Sequence, residues 1–168
     1  MVTGIPTRDG TSAMIRTTLE SETDPLAALA EGTGVFKPLE IEALREVLDD
    51  YHAGNHHIGH RALTLEQDGE PVGFAYYAPT AMTDRTWHLY WIFVRKTGQA
   101  RGLGSQLLRH VEDDIVRAGG RLFLIETSSL PAYEPTRKFY LKHGYEQAAV
   151  VRDFYADGDD QVIFRKRV

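Results

Sequence analysis

The alternation of apolar and polar positions divides the chain into short periodic segments. Runs with a period of two predict strands over 14–19, 61–66, 71–78 and 86–94. Residues 67–70 (Gln-Asp-Gly-Glu) carry an Asp-Gly pair between the second and third of these, a hairpin signal. Residues 121–126 (Arg-Leu-Phe-Leu-Ile-Glu) are nearly all apolar, as a central strand covered on both faces requires. Strands over 146–153 and 161–166 flank the turn Asp157-Gly158-Asp159. Helical spacing predicts the rest. Asp24-Pro25 opens a short helix over 26–30. Pro38 stands at a first helical position, and Ile41, Leu44, Val47, Leu48 and Tyr51 follow on one face until Gly54. Leu107, Leu108, Val111 and Ile115 define a helix over 105–118, closed by Gly119-Gly120. Pro135 starts a last helix, which Gly144 stops. Residues 52–60 read as a polar loop broken by glycine.

The order β-α-α-β-β-β-α-β-α-β-β predicts a single domain of α/β (α+β) class. Its expected sheet is mixed, mostly antiparallel and twisted, with about seven strands and about four helices. The strands on either side of the helix at 105–118 should be parallel neighbours, because that crossover is a βαβ unit. Residues 1–13 read as a flexible lead-in and residues 14–168 as the domain. The lead-in lacks the apolar region of a secretory signal, and no apolar stretch is long enough to cross a bilayer.

Composition narrows the chemistry. The 168 residues include no cysteine. That excludes disulfides, thiolate ligands and a cysteine nucleophile, and it fits a reducing, cytoplasmic setting. A formal net charge of −5 argues against nucleic acid as the main partner, and no membrane partner is expected. Against that background one stretch stands out. No acid occurs between residues 95 and 111, where Arg95, Lys96, Arg101 and Arg109 lie. It contains Gln99-Ala100-Arg101-Gly102-Leu103-Gly104-Ser105, between the apolar run 89–94 and the start of a helical pattern. Glycines at alternate positions let main-chain N–H groups turn inward. A helix start adds unpaired N–H groups and the positive end of its dipole. Such a turn receives a phosphate or diphosphate; the alternative is an ordinary tight strand-to-helix turn. A dinucleotide fingerprint is not met, because Leu107 stands where the third glycine belongs and hairpins precede the turn.

At these residues the chain resembles the GNAT superfamily of acyl-CoA-dependent N-acetyltransferases. The element order matches over roughly 14–168. Gln99, Gly102 and Gly104 meet the pattern Gln/Arg-x-x-Gly-x-Gly/Ala, and Ile92-Phe93-Val94 meets the preceding apolar strand end. Residues 136–145 (Thr-Arg-Lys-Phe-Tyr-Leu-Lys-His-Gly-Tyr) look like the family's helix with an aromatic–Tyr pair followed by Gly-aromatic. Three positions depart from the pattern. Lys96 and Gly98 replace a Pro and an aromatic, and Tyr133 replaces an Asn that touches the cofactor.

The resemblance implies acetyl transfer from acetyl-CoA to a primary amine, on a small molecule or a peptide. Direct attack in a ternary complex is expected, since no cysteine exists and no Ser-His-Asp arrangement is evident. It implies that coenzyme A lies along the main-chain edge of Ile92, Phe93 and Val94. That edge becomes accessible if its strand splays from the parallel neighbour near Glu126. The diphosphate would lie on Gln99, Ala100, Arg101, Gly102, Leu103, Gly104 and Ser105, and further cofactor contacts would come from Tyr133 and Tyr140. Tyr140 matches the general-acid tyrosine, or else is a buried structural tyrosine. Glu126, at the end of an apolar strand, is placed to act as base or to position water. His88 and Tyr90 share a face by period two, and His88 is either a proton relay or a sheet-surface histidine.

Tyr90, Glu126 and Tyr155 are expected on the acceptor side. Tyr155 lies in the acidic, aromatic tip with Asp153, Phe154, Asp157, Asp159 and Asp160, which either receives a cation or is a solvated turn. His52, His56, His57 and His60 read as a loop lining the acceptor cleft, and no metal is expected, because Gly54 and Gly59 break the helix that would align them. Trp87, Leu89, Trp91 and Phe93 share a strand face, read as core or as homodimer packing. The basic C-terminus over 164–168 reads as an edge strand guarded by charge. The rival to an enzyme is a module that binds acyl-CoA as a sensor or docking surface without turnover. A nucleotide-binding domain of another fold is the third reading.

Overall fold

A computed structural model describes residues 3–6, 12–99 and 102–168. In chain order its elements are β1 (Thr3–Pro6), β2 (Ser12–Thr17), α1 (Thr23–Gly32), α2 (Pro38–Ala53), β3 (Arg61–Gln67), β4 (Glu70–Pro79) and β5 (Thr86–Val94). There follow α3 (Leu103–Arg117), β6 (Leu122–Ser128), α4 (Glu134–Lys142), β7 (Glu146–Ala156) and β8 (Asp159–Arg167). The α/β class, the mixed sheet and the four helices are those the periodicity predicts. One strand is additional. Thr3–Pro6, inside the stretch expected to be a lead-in, pairs antiparallel with β2, from Thr3↔Ile15 to Pro6↔Ser12. Its few apolar positions are too short a run to signal a strand, and pairing with an existing edge supplies its hydrogen bonds.

The chain divides into two compact units. The first holds the residues up to 78 together with 91–112. Its strands follow the order β1-β2-β3-β4 with the last four residues of β5 beyond. β3 and β4 form the hairpin announced by Asp-Gly, with Asp68 and Gly69 both at positive φ. Leu26 and Ala30 of α1 and Leu44 and Leu48 of α2 pack with Phe74 and Phe93 of the sheet. Trp91 packs on Phe36 at 5.5 Å and Phe93 is buried, which is the core reading of that strand face.

An ion cluster ties this unit's strands to the turn ahead of α1. The Arg16 guanidinium donates to both oxygens of Glu22, at 2.7 and 3.0 Å, and to Glu66 Oε2 at 2.7 and 2.9 Å. Burial by itself pushes the Glu22 carboxyl up. Arg16, the Leu19 N–H and the Thr64 hydroxyl nevertheless hold it below the usual carboxylate range. Side-chain exposures of 19% for Arg16 and 8% for Glu22 make this more than a surface pair. Removing one partner leaves a carboxylate poorly solvated and unmatched. Arg16→Ala is therefore expected to cost about 2–3 kcal/mol of stability, read by urea unfolding at neutral pH. The sign with pH follows from the depressed Glu22 pKa. Its contribution is present above the ordinary carboxylate pKa and is lost as pH falls through the lower folded value. The gap between Arg16→Ala and wild type should thus narrow on acidification.

The second unit holds residues 79–90 and 113–168, with strand order β5-β6-β8-β7. β5 and α3 run through both units. The parallel pair is present as expected: β5 and β6 register from Thr86↔Leu122 to Leu89↔Ile125. The sequence places the basic C-terminal strand at an edge. Instead β8 lies inside, antiparallel to β6 on one side and to β7 on the other. Its charges are partnered locally, Arg165 with Glu146 at 2.6 Å and Lys166 Nζ with the His143 carbonyl at 2.9 Å. The edge strand is β7. Phe123, Tyr140, Tyr145 and Phe164 form the unit's aromatic centre, with ring centroids 5.6–6.1 Å apart. Gly120 closes the α3–β6 link where a Cβ would lie 2.3 Å from Ile115 Cγ2 and 2.9 Å from its carbonyl, so no side chain fits there.

Candidate functional site

In the second unit the β5–β6 ladder stops at Leu89↔Ile125, one residue ahead of Tyr90 and Glu126. Around that opening four polar side chains converge. His88 Nε2 lies 3.2 Å from Glu126 Oε1. Gln161 Nε2 donates to the other carboxylate oxygen, Oε2, at 2.7 Å. The Tyr90 ring stacks on His88 at 4.9 Å with 17° between planes. Alternation along β5 puts His88 and Tyr90 on one face, and the parallel register brings Glu126 to them.

The electrostatics assign protons. Burial lowers the His88 pKa, and the Glu126 charge opposes it only partly. The ring is therefore neutral at pH 7. Nε2 is the ring nitrogen that faces the carboxylate. Burial, then the Glu126 charge, raises the Tyr90 phenol, which stays protonated. Glu126 keeps a third of its side chain exposed, so it faces both His88 and solvent. Gln161 is the residue that the sequence reading missed. It is buried, and because β6 pairs with β8 through Glu126↔Ile163, it is the diagonal neighbour of Glu126. Only the β6–β8 register brings it there.

Tyr140 lies on α4, buried among Phe139, Tyr145 and Phe164. Burial raises its phenol far above the ordinary value, so it is a neutral O–H throughout the physiological range. Tyr133 ends the short 3₁₀ turn Pro131–Tyr133 and is half-buried at the N-cap of α4. Tyr155 sits at the β7–β8 tip, half-exposed and edge-on to Phe154 at 5.0 Å. The tip is internally bonded. Asp160 Oδ1 accepts from the Asp153 N–H, Asp153 Oδ1 accepts from the Gly158 N–H, and Ser128 donates to Asp159. Three of its carboxylates thus already serve the turn, which favours the turn reading over a cation receptor.

In the first unit, Phe93 and Val94 are buried and Ile92 is partly exposed. The Arg95 N–H donates to the Val72 carbonyl, and Arg95 Nη2 donates to Gln67 Oε1 at 2.5 Å. The sequence suggests one continuous glycine turn here, but residues Lys96–Gln99 form a helical turn first. Ala100 and Arg101 lie outside the described residues. Gly102 follows at φ +75°, with nothing within 4 Å of where a Cβ would stand. α3 begins at Leu103, two residues earlier than its apolar pattern indicates. The Gln106 N–H is the one that donates to the Gly102 carbonyl. Leu103, Gly104 and Ser105 are thus the first residues of the helix, the end at which main-chain N–H groups and the helix dipole favour an anion. A helix start, a left-handed glycine and a stretch without acids fit a diphosphate.

The histidine segment also lies in the first unit. α2 extends to Ala53, and Asn55–Ile58 form a 3₁₀ turn ended by Gly59 at φ +93°. His60 Nδ1 lies 2.6 Å from the Tyr76 hydroxyl, and His56 Nδ1 lies 2.7 Å from the Tyr51 carbonyl. Among the described residues, no three His, Asp or Glu side chains are placed to share a metal ion.

Three comparisons bear on this arrangement. The family profile of the acetyltransferase (GNAT) domain matches residues 59–147. A GNAT-family acetyltransferase from Desulfovibrio desulfuricans superposes with a TM-score of 0.88 at 35% identity, over 92% of this chain and 98% of its own. The ribosomal-protein-S18-alanine N-acetyltransferase of Escherichia coli gives 0.74 at 19% identity, over 93% and 94%. An aminoglycoside 6'-N-acetyltransferase complexed with coenzyme A gives 0.71 at 16% identity, over 91% and 96%. The last two share the fold. No curated protein sequence matches.

Proposed function

This chain belongs to the GNAT family of acetyltransferases, and from that premise we propose that it moves an acetyl group from acetyl-CoA to a primary amine by direct attack in a ternary complex. The observation that carries the reading is the β5–β6 opening, where a neutral His88 meets a carboxylate held from its far side by Gln161. When bound, acetyl-CoA supplies an acyl carbon and a thiolate leaving group with a pKa near 8.5. The family resemblance assigns its diphosphate to residues 99–105, its amide arm to the main chain of Ile92, Phe93 and Val94, and further cofactor contacts to Tyr133 and Tyr140.

An amine acceptor arrives as ammonium, with a reference pKa of about 10.4 if lysine-like. His88 and Glu126 take up that proton, directly or through water, with Tyr90 lining the acceptor side beside them. The amine lone pair then forms the C–N bond, and the second amine proton leaves by the same route. As the C–S bond breaks, the Tyr140 hydroxyl hydrogen-bonds to the sulfur; after cleavage the thiolate takes up a proton through it, and Tyr140 regains its own from solvent. The atoms balance: an amide, free coenzyme A as thiol and one proton released to solvent. Tyr155, at a tip whose acids are mostly engaged, contributes to the acceptor's apolar surround.

Thiol release from acetyl-CoA, measured over a panel of small amines, amino acids and N-terminal peptides, tests the reading. At least one amine should support steady release. Coenzyme A binding by calorimetry, with no release for any amine, would replace the enzyme with an acyl-CoA-binding module. Gly102→Ala isolates the diphosphate turn. Space is open there, so its only cost is the left-handed backbone, about 1 kcal/mol. Calorimetric affinity for coenzyme A should weaken about fivefold with thermal stability shifted by a few degrees at most.

A further inference from the structure

α4 carries Tyr140, yet little within the helix itself fixes where it stands. It has nine residues, too few for a helix to persist without packing. Tyr133 at its N-cap gives no side-chain hydrogen bond to the first turn. At the C-terminal end Lys166 Nζ of β8 donates to the His143 carbonyl at 2.9 Å. Toward the other end the tie comes from the helix. Arg137 Nη1 donates to the Ser128 carbonyl at 2.6 Å and to the Leu130 carbonyl at 3.1 Å. Local rules do not ask for an arginine there. Arg137 is the fourth residue of α4, near the positive end of the helix dipole, where a cation adds nothing to helix stability. Nor does it serve an ion pair. Glu134, the nearest acid in sequence, is taken by Lys138 at 2.9 Å, and among the described residues no carboxylate lies within ion-pair distance of Arg137.

The two carbonyls belong to a firmly held place. Ser128 closes β6 in register with Gln161 of β8. Its hydroxyl donates to Asp159 and accepts from the Leu130 N–H. The Ser129 N–H donates to the Asp160 carbonyl at 2.9 Å, and the Asp160 N–H donates to Ser129 Oγ at 2.8 Å. Ser128 lies two residues beyond Glu126, on the same face of β6. Arg137 lies three residues before Tyr140, one turn back along α4. One guanidinium thus joins the strand that carries the proposed proton acceptor to the helix that carries the proposed proton donor. We propose that Arg137 is a positioning residue for acyl transfer: it holds α4 against the exit of β6 and so sets the separation between the Tyr140 hydroxyl and the Glu126 carboxylate. The inference rests on the roles proposed above for Tyr140 and Glu126. Misplacing reacting groups by about 1 Å can cost about 100-fold in rate, and a short helix released at one end can move on that scale.

Steady-state thiol release from acetyl-CoA, with an amine that supports wild-type turnover, tests the assignment. Arg137→Gln draws the side chain back from both carbonyls. It should lower kcat about tenfold, with KM for acetyl-CoA and for the amine within about twofold and circular dichroism unchanged. Because a single nitrogen makes both bonds, a lysine ammonium can replace it, so Arg137→Lys should recover most of the loss. The double variant separates positioning from plain structure. Once the hydroxyl is gone nothing remains to be positioned, so adding Arg137→Gln to Tyr140→Phe should lower kcat by less than about twofold more. Hydrogen exchange reads the tie without turnover: the amides of Phe139, Tyr140 and Leu141 should exchange about tenfold faster in Arg137→Gln, and those of Leu124 and Ile125 should not change. If Arg137→Gln does not fold, Arg137→Lys in the wild-type and Tyr140→Phe backgrounds carries the same comparison. A wild-type kcat in Arg137→Gln overturns the inference, as do equal protection of α4 or losses that multiply in full in the double variant. Failure of the underlying reading shows differently, as a wild-type rate in Tyr140→Phe alone or as no thiol release with any amine, and either removes this inference as well.

Discussion

Tyr140→Phe should lower the rate of thiol release about 100-fold while leaving coenzyme A affinity nearly unchanged. The substitution removes one oxygen from a ring enclosed by Phe139, Tyr145 and Phe164 and keeps the ring's packing. Stability should therefore hold, whereas Tyr140→Ala would empty the site and cost about 3–5 kcal/mol. The size of the rate effect follows from the phenol's environment. Burial raises its pKa well above that of the departing thiol, so full proton transfer ahead of C–S cleavage is uphill. The hydroxyl contributes instead by hydrogen bonding to charge as it develops on sulfur, which sets the loss at the low end of general-acid effects. Because the phenol stays neutral across the working range, removing it should lower the whole pH–rate profile without moving its limbs. An unchanged rate would remove Tyr140 from the chemistry and leave it the structural tyrosine that its burial also permits.

Glu126→Gln should be comparably damaging and should leave a different trace. The variant keeps the shape and the Gln161 contact but loses the charge beside His88. The expected loss in kcat/KM is about 100-fold, if the carboxylate and imidazole share the proton from the acceptor. The pH profile separates this from misfolding. In wild type, His88 must be neutral to accept a proton, and burial lowers its pKa, so the acid limb of kcat/KM should lie below about pH 6.5. Glu126 is the group that opposes that lowering. Its neutralisation should shift the residual acid limb further down, because the imidazolium loses its nearest negative partner. Gln161→Leu, which leaves the charge in place and frees its orientation, should raise KM for the amine more than it lowers kcat. A Glu126→Gln enzyme with an unmoved acid limb would disconnect the pair from catalysis.

The sequence determined the elements that local rules govern. Period-two runs marked β2 to β5, a nearly continuous apolar run marked β6, Asp68-Gly69 fixed the hairpin, and the apolar stripe from Leu107 to Ile115 gave α3, because these signals act over a few residues. The motif at 99–105 and the Phe139-Tyr140 pair identified the family, since phosphate-binding turns need glycine at set positions whatever surrounds them. His88, Tyr90 and Glu126 were legible as candidates from strand parity. The tertiary structure decided what parity cannot. It placed β8 inside the sheet and β7 at the edge, reversing the assignment that the basic C-terminus invites, because strand order depends on which edges remain to be paired. That same insertion carried Gln161 to Glu126 across 35 residues of sequence. Burial, which depends on every neighbour at once, set the Tyr140 and His88 proton affinities. Local chemistry writes the parts, and the competition among edges and surfaces for burial decides which parts meet.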